Sequence, residues 1–352
     1  MVIKGETLLE LIKQIAKKPR VAGTKQNDKV RNILIKKLES LDYQIRIQKM
    51  SFTGWKLIKK PKLKVNGKQI NVLSVVWTGS GKVKGKLVKI SNIKTFEVYE
   101  WHRWKILDKN KTQGYIISRE DMVWMQLIDK KSKKPYFMVD TDICKKLNKG
   151  GSFYVEGSVK SKFIKNLSIK NIITKNNEKN KIIICCHYDS FYGAPGANDN
   201  ASGVASVLEL AKRHKNNKRL QFIMFDAEEW NKYGSYSYVR SLKKNQLRNI
   251  NVLINIDSTG SKIGKLYIIA SKKFNGLIKT AFKKLKEKVK ISNQLRPPFD
   301  FWPFAKKGVG IIHFGSSPYN HFHKPSDTYN KLSEKNIKKV VKIVDIIIEI
   351  LC

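Results

Sequence analysis

Short apolar runs that stop on an acid or a histidine recur through the second half of the chain. Lys181-Ile-Ile-Ile-Cys-Cys186 ends at His187. Leu220-Gln-Phe-Ile-Met-Phe225 ends before Asp226 and the Glu228-Glu229 pair, and Val252-Leu-Ile-Asn-Ile256 ends at Asp257. Runs this short, rich in β-branched and aromatic residues and bounded by polar clusters, read as strands buried on both faces of a sheet. Residues 201–214 and 234–244 between them are amphipathic and read as helices. The alternation of strand and helix predicts a three-layer α/β/α sandwich with a central, mostly parallel mixed sheet. Ligands bind such sheets at the carboxyl ends of the strands. All three runs deliver their polar residues there, so His187, Glu228, Glu229 and Asp257 are expected to converge.

The residue types suit a pair of zinc ions. Zinc takes imidazole nitrogen and carboxylate oxygen, and two adjacent zincs need a shared oxygen ligand that one carboxylate can supply. Asp199 is the bridging candidate, because it lies in the small-residue loop Pro195-Gly-Ala-Asn-Asp-Asn-Ala-Ser-Gly203, where a backbone can approach ions closely. His187 and Asp257 would complete one side of the bridge, and Glu229 with a histidine near 323 the other. Glu228 is left over beside a ligand, as general base for the attacking water. Asp189, two residues beyond His187, is placed to hold the other imidazole N–H and fix the ring tautomer.

Each piece alone has a plainer explanation. A histidine after a strand commonly serves as a hydrogen-bonded rim residue. A Glu-Glu pair suits a solvated helix start, and an Asp among Gly, Asn and Ser suits a cap or turn. Spacing does not choose among His313, His321 and His323. The ordered set carries the inference.

That set resembles the di-zinc aminopeptidase family related to bacterial leucyl aminopeptidase, glutamate carboxypeptidase and glutaminyl cyclase. The family's His-x-Asp is similar to His187-Tyr-Asp189, and its bridging loop to Gly196-Ala-Asn-Asp-Asn-Ala-Ser-Gly203. Its Glu-Glu pair followed by Gly-Ser is similar to Glu228-Glu-Trp-Asn-Lys-Tyr-Gly-Ser235. Its closing His-Thr-Pro-x-Asp-Thr resembles His323-Lys-Pro-Ser-Asp-Thr328, which singles out His323. An opening helix pair joined by an Arg-x-Ala-Gly-Thr turn resembles Pro19-Arg-Val-Ala-Gly-Thr24 and the helix expected at 32–41. The resemblance implies a zinc-exopeptidase-like fold, two Zn2+ per chain and peptide substrates. Two departures stand out. Phe301, in Phe299-Asp-Phe-Trp-Pro303, replaces a histidine that is not a metal ligand, and Lys324 replaces the Thr after the last ligand.

The resemblance covers residues 1 to about 50 and about 166 to 352, and residues 1–55 with 166–352 are expected to form one discontinuous catalytic domain. The interval 56–165 is too long for a loop and holds strand-like runs at 72–77, 85–90, 114–118 and 153–156. It reads as an inserted β-rich domain. Its Gly-x-Val-x-Gly-x-Leu-Val start at Gly81 and its Gly114-Tyr-Ile-Ile segment resemble a protease-associated domain. No complete ligand set falls inside it, which suggests a role in substrate access or partner binding.

A length of 352 residues with 41% hydrophobic residues is enough for two cores. The net charge of +43 raises the rival class of nucleic-acid-binding proteins. Against it, Lys and Arg are spread along the whole chain without a basic-aromatic block, and none occurs from Ile182 to Ala211. No dedicated nucleic-acid binding is expected. The four cysteines suggest no disulfide framework; Cys185 and Cys186 should point to opposite faces of one strand. The opening Met1-Val-Ile-Lys-Gly-Glu lacks the pattern of a secretory leader, and residues 340–351 are interrupted by charge and too short to span a bilayer. The expected setting is cytoplasmic. Nothing in the sequence fixes an oligomeric state.

The resulting expectation is a metallo-exopeptidase, foremost an aminopeptidase. The alternatives are a carboxypeptidase or glutaminyl cyclase of the same fold, or a non-catalytic receptor-like relative.

Overall fold

The computed structural model describes residues 6–95, 99–119, 133–176 and 178–352. The first five residues of the opening segment, and residues 96–98 and 120–132 of the inserted interval, lie outside that range. The chain forms two compact units, one of Met1–Phe52 with Ser168–Cys352 and one of Thr53–Leu167.

In the first unit a mixed sheet runs in the order Ile291–Ser292, Lys265–Ala270, Gly310–Ser317, Ile250–Ile256, Lys181–His187, Leu220–Phe225, ending on the last residues of Tyr154–Thr174. The four strands from Gly310–Ser317 to Leu220–Phe225 are mutually parallel, and antiparallel neighbours flank them. All three strands expected from the sequence are present, and their register places Phe225 opposite His187.

Helices cover both faces. On one, Ile182, Ile184, Cys186, Ile254 and Phe314 pack beneath apolar residues of Leu8–Ile15, Gly203–Arg213, Asn275–Lys284 and Glu334–Leu351. On the other, Ile183, Cys185, Phe225 and Leu253 pack against Tyr238, Val239 and Phe304. The two cysteines therefore do face opposite ways. The architecture is the expected three-layer sandwich.

Helix boundaries shift for local reasons. The helix expected at 201–214 begins at Gly203, because Asp199 (φ −109°, ψ 89°) and Asn200 (φ −133°, ψ 46°) leave helical geometry in the widened turn Ala197–Ser202. The helix expected at 234–244 is Tyr233–Ser241; extended Leu242 ends it before the short turn Lys244–Arg248. The final helix starts early, at Glu334, where the Ser333 side chain accepts a bond from Asn336 N and Ile337 extends the buried stripe of Val340, Val341 and Val344.

In the second unit Gly81–Thr95, Tyr99–Asp108 and Lys111–Ser118 form an antiparallel meander. Tyr136–Met138 continues it and pairs with Leu73–Ser74. Leu63, Val83, Trp104, Ile106, Ile116, Phe137 and Val155 fill its core. Gly85 permits the close pairing, since a Cβ there would lie 2.1 Å from the Leu107 carbonyl oxygen. The strand expected at 72–77 shrinks to Leu73–Ser74, because Trp77 adopts φ 73° and turns the chain. A helix, Thr141–Asn148, also occurs here; Asp140 caps it by accepting a bond from Ile143 N at 2.9 Å. Among the described residues no helix is long and apolar enough to cross a membrane.

Candidate metal centre

The strand ends bring the predicted residues together. His187 Nε2 lies 3.2 Å from Asp199 Oδ1 and 3.6 Å from Asp257 Oδ1. His323 Nε2 lies 3.4 Å from Asp199 Oδ2 and 3.0 Å from Glu229 Oε2. Two trios result, His187–Asp199–Asp257 and Asp199–Glu229–His323, each with ligand atoms within 4.8 Å of one another. Asp199 belongs to both and turns one oxygen to each.

His323 is the only one of the three neighbouring histidines to join the carboxylates. Its ring is stacked between Phe191 and Phe322, at 4.0 and 3.8 Å between centroids. His321 Nδ1 meets Ser326 Oγ at 2.9 Å. His313 is buried against Asn255 and Phe299, where burial pushes its pKa down to about 3. Phe301, at the position of the family's histidine, is a core residue packed on Phe299 and His313.

Asp189 is fully buried. Its carboxylate accepts the backbone N–H groups of Glu228 (3.1 Å) and Glu229 (3.3 Å), and Oδ1 stands 3.4 Å from His187 Nδ1. The next turn is closed by bonds from Lys232 N to Glu228 O and from Tyr233 N to Ala227 O. Glu228 is partly exposed and belongs to neither trio.

Burial and mutual charge set the protonation of these side chains. Burial pushes Glu229 up to about 7, against the pull of His323. Burial likewise raises Glu228 well above the carboxylate range. Burial alone would lower His323, but Glu229 and Asp199 raise it to about 10. His187 is raised well above its usual value, because Asp257 and its other carboxylate neighbours outweigh burial. Burial would raise Asp199 too, but the two histidines hold it below the usual carboxylate range. Among the described residues the buried atoms Glu229 Oε1 and His187 Nδ1 have no hydrogen-bond partner. Carboxylates crowded into a largely buried pocket, one shared between two imidazoles, with an orphaned oxygen among them, fit a pair of divalent cations.

Several residues that hold this geometry were not singled out by sequence reasoning. Buried Arg20 donates from Nε to Tyr188 O (2.6 Å), from Nη2 to Gly196 O (2.8 Å), and from Nη1 to Pro195 O, tying the His187 segment to the bridging loop. Gly196 (φ 65°) lets that loop close, since a Cβ there would lie 2.2 Å from Asp199 O. Asp327, four residues after His323, accepts Asn198 N at 2.8 Å and Asp199 N at 3.2 Å. Asn200 Oδ1 accepts Gly203 N and Ser258 N, joining the bridging loop to the residue after Asp257. The recurrence of Arg20, Asn200 and Asp327 inside the family-like motifs was the available signal.

Arg20→Lys should therefore destabilise the fold. An ammonium cannot span three carbonyls, so buried acceptors go unpaired at about 1–3 kcal/mol each. Equilibrium urea unfolding should show a loss of at least about 2 kcal/mol; an unchanged midpoint would refute the clamp.

The chain belongs to peptidase family M28, whose model matches residues 169–347. It is similar to aminopeptidase YwaD of Bacillus subtilis (strain 168), with 28% identity over 209 residues, 54% of this chain and 46% of that protein. It thus spans less than half the length of that relative. Its fold is shared with the aminopeptidase from Aneurinibacillus sp. strain AM-1 (TM-score 0.79, 23% identity, covering 97% of this chain and 92% of that one). It is shared also with BSAP, a zinc aminopeptidase from Bacillus subtilis (TM-score 0.76, 21% identity, covering 97% and 93%).

Proposed function

We propose that the chain is a zinc-dependent aminopeptidase that removes N-terminal residues from peptides. The observation that carries the reading is the pair of ligand trios sharing Asp199, with Glu228 beside them and outside both. Similarity to YwaD and to the BSAP fold supports the same class and the same metal.

In this reading His187, Asp199 and Asp257 hold one zinc, and Asp199, Glu229 and His323 the other. Bound zinc supplies Lewis acidity and lowers the pKa of a water toward neutrality. Glu228 accepts the proton of the attacking water and delivers it to the leaving amine. Its partial exposure leaves it reachable by both. Asp189 positions Glu228 through the backbone N–H it accepts, and it orients the His187 ring. Residues 56–165 would be an accessory, protease-associated-like domain serving substrate access or partner binding.

A peptide panel with free and blocked termini, assayed before and after chelation and zinc reconstitution, tests the assignment. Cleavage requiring a free N-terminus and zinc is expected. Release of C-terminal residues from N-blocked peptides would make the chain a carboxypeptidase, and ring closure of N-terminal glutamine a cyclase. Turnover that survives exhaustive chelation would eliminate the metal reading.

The site also predicts how zinc stabilises the fold at different pH. Glu229 sits near 7 when folded and metal-free, against about 4.3 unfolded. His323 sits near 10, against about 6.5. The folded metal-free chain therefore keeps protons that the unfolded chain has released, and its stability falls as pH rises through this window. Zinc displaces those protons. The rise in Tm on adding zinc should be larger at pH 8 than at pH 6; equal increments would count against these residues as ligands.

A further inference from the structure

Two lysines adjoin the site and form no ion pair among the described residues, although Lys232 is a charge neighbour of Glu228. Lys232 precedes the helix Tyr233–Ser241 in the left-handed region (φ 59°), directly after Asn231 (φ 65°). Consecutive non-glycine residues in this region persist only where the surroundings enforce them. The enforcing bond here runs from Lys232 N to Glu228 O at 2.6 Å, so Lys232 closes the very turn that carries Glu228. Lys324 directly follows His323 and is braced by a bond from its Nζ to Asn320 O at 3.0 Å. Both side chains are half-buried. Among the described residues neither has a carboxylate within ion-pair distance, whereas Lys37, Lys215 and Lys338 do, at 2.6, 3.1 and 3.0 Å.

The charge balance gives these lysines a use. Five carboxylates, the three ligands with Glu228 and Asp189, face two divalent ions, so a substrate carboxylate needs added positive charge to approach. Two lysines at its edge supply that charge on the leaving side. Lys232 shares its turn with Glu228, the residue that serves the leaving amine, so the carboxylate it meets belongs to the leaving side.

The geometry points to Lys232 and Lys324 as specificity-determining residues that bind a substrate carboxylate just beyond the scissile bond. This rests on the aminopeptidase reading of the same site and deepens it. The substrates are then short peptides whose leaving portion carries a free C-terminal carboxylate or an acidic side chain. The cations act on binding. Opposite charges at a partly exposed rim are worth a few-fold in affinity, and salt screens them.

The test uses the zinc-loaded full chain and three peptides: Leu-Ala-amide, Leu-Ala with a free carboxylate, and Leu-Asp-amide. Steady-state kcat and KM are measured at low and high salt for the wild type, Lys232→Gln, Lys324→Gln and the double variant. Lys212→Gln, an exposed lysine on the helix Gly203–Arg213, controls for the general field of a +43 chain. Each site variant should raise KM for the carboxylate peptides by about 2–5-fold relative to the neutral amide, with any change in kcat common to all three peptides. High salt should erase the difference. An effect confined to Leu-Ala identifies the C-terminal carboxylate as the ligand, and one confined to Leu-Asp-amide the acidic side chain. Equal changes for all three peptides, no change, or the same change in Lys212→Gln would overturn the proposal while leaving the peptidase reading intact. A wild type inert toward all three peptides would bring down that reading and this proposal with it.

Discussion

Glu228→Gln should lower kcat by about 10²–10⁴-fold while the protein still carries two zinc ions. The amide keeps the shape of the side chain and loses only its ability to take a proton. Glu228 N still donates to Asp189, so the turn stays in place and KM should change little. Its neighbour should behave differently. Glu229 Oε2 lies 3.0 Å from His323 Nε2 inside a ligand trio, so Glu229→Gln replaces an anionic ligand by a neutral one and should release one ion. Metal analysis beside kcat on both variants decides the roles. Zinc lost from Glu228→Gln and kept in Glu229→Gln would reverse them, and near-normal turnover in both would reduce the pair to a solvated helix start.

Asp199→Asn should be more damaging to metal binding than any other single ligand change. Its two oxygens face different histidines, at 3.2 and 3.4 Å, so one substitution removes an anionic ligand from both trios. Zinc content should drop to at most one ion per chain, and activity should fall by about 10³-fold or more. The backbone of the loop remains anchored by Asp327, so the far-ultraviolet circular dichroism should match the wild type. A variant that still holds two ions would show that Asp199 is no bridge.

The site was legible where chemistry coincided with the end of an apolar run. His187, Glu229 and Asp257 stand just past Cys186, Phe225 and Ile256, and a parallel sheet gathers such positions at one edge. Asp199 was legible from the small residues around it. What holds these side chains in place was far less visible. Arg20 acts on carbonyls roughly 170 positions away in sequence, and its place in the family-like turn at Pro19–Thr24 gives no sign of which groups it meets. Asp300, fully buried with raised pKa of about 7 because of that burial, likewise carries no periodic signal. Elements were missed where backbone conformation outweighed side-chain pattern. Trp77 at positive φ cut short an apolar run, and the Asp140 cap started a helix in a segment read as β-rich.

Asp189 has a consequence for how such a site can change. One carboxylate grips the peptide links of Glu228 and Glu229 and stands against the ring of His187. The proposed proton acceptor and one proposed ligand for each ion thus hang from a single mount. Replacing Asp189 moves all three together, so their mutational effects are bound to be epistatic. An evolutionary path that retunes the base without disturbing the metals must therefore run through the face of Glu228 that meets solvent, where Lys232 already stands, and not through the group that supports it.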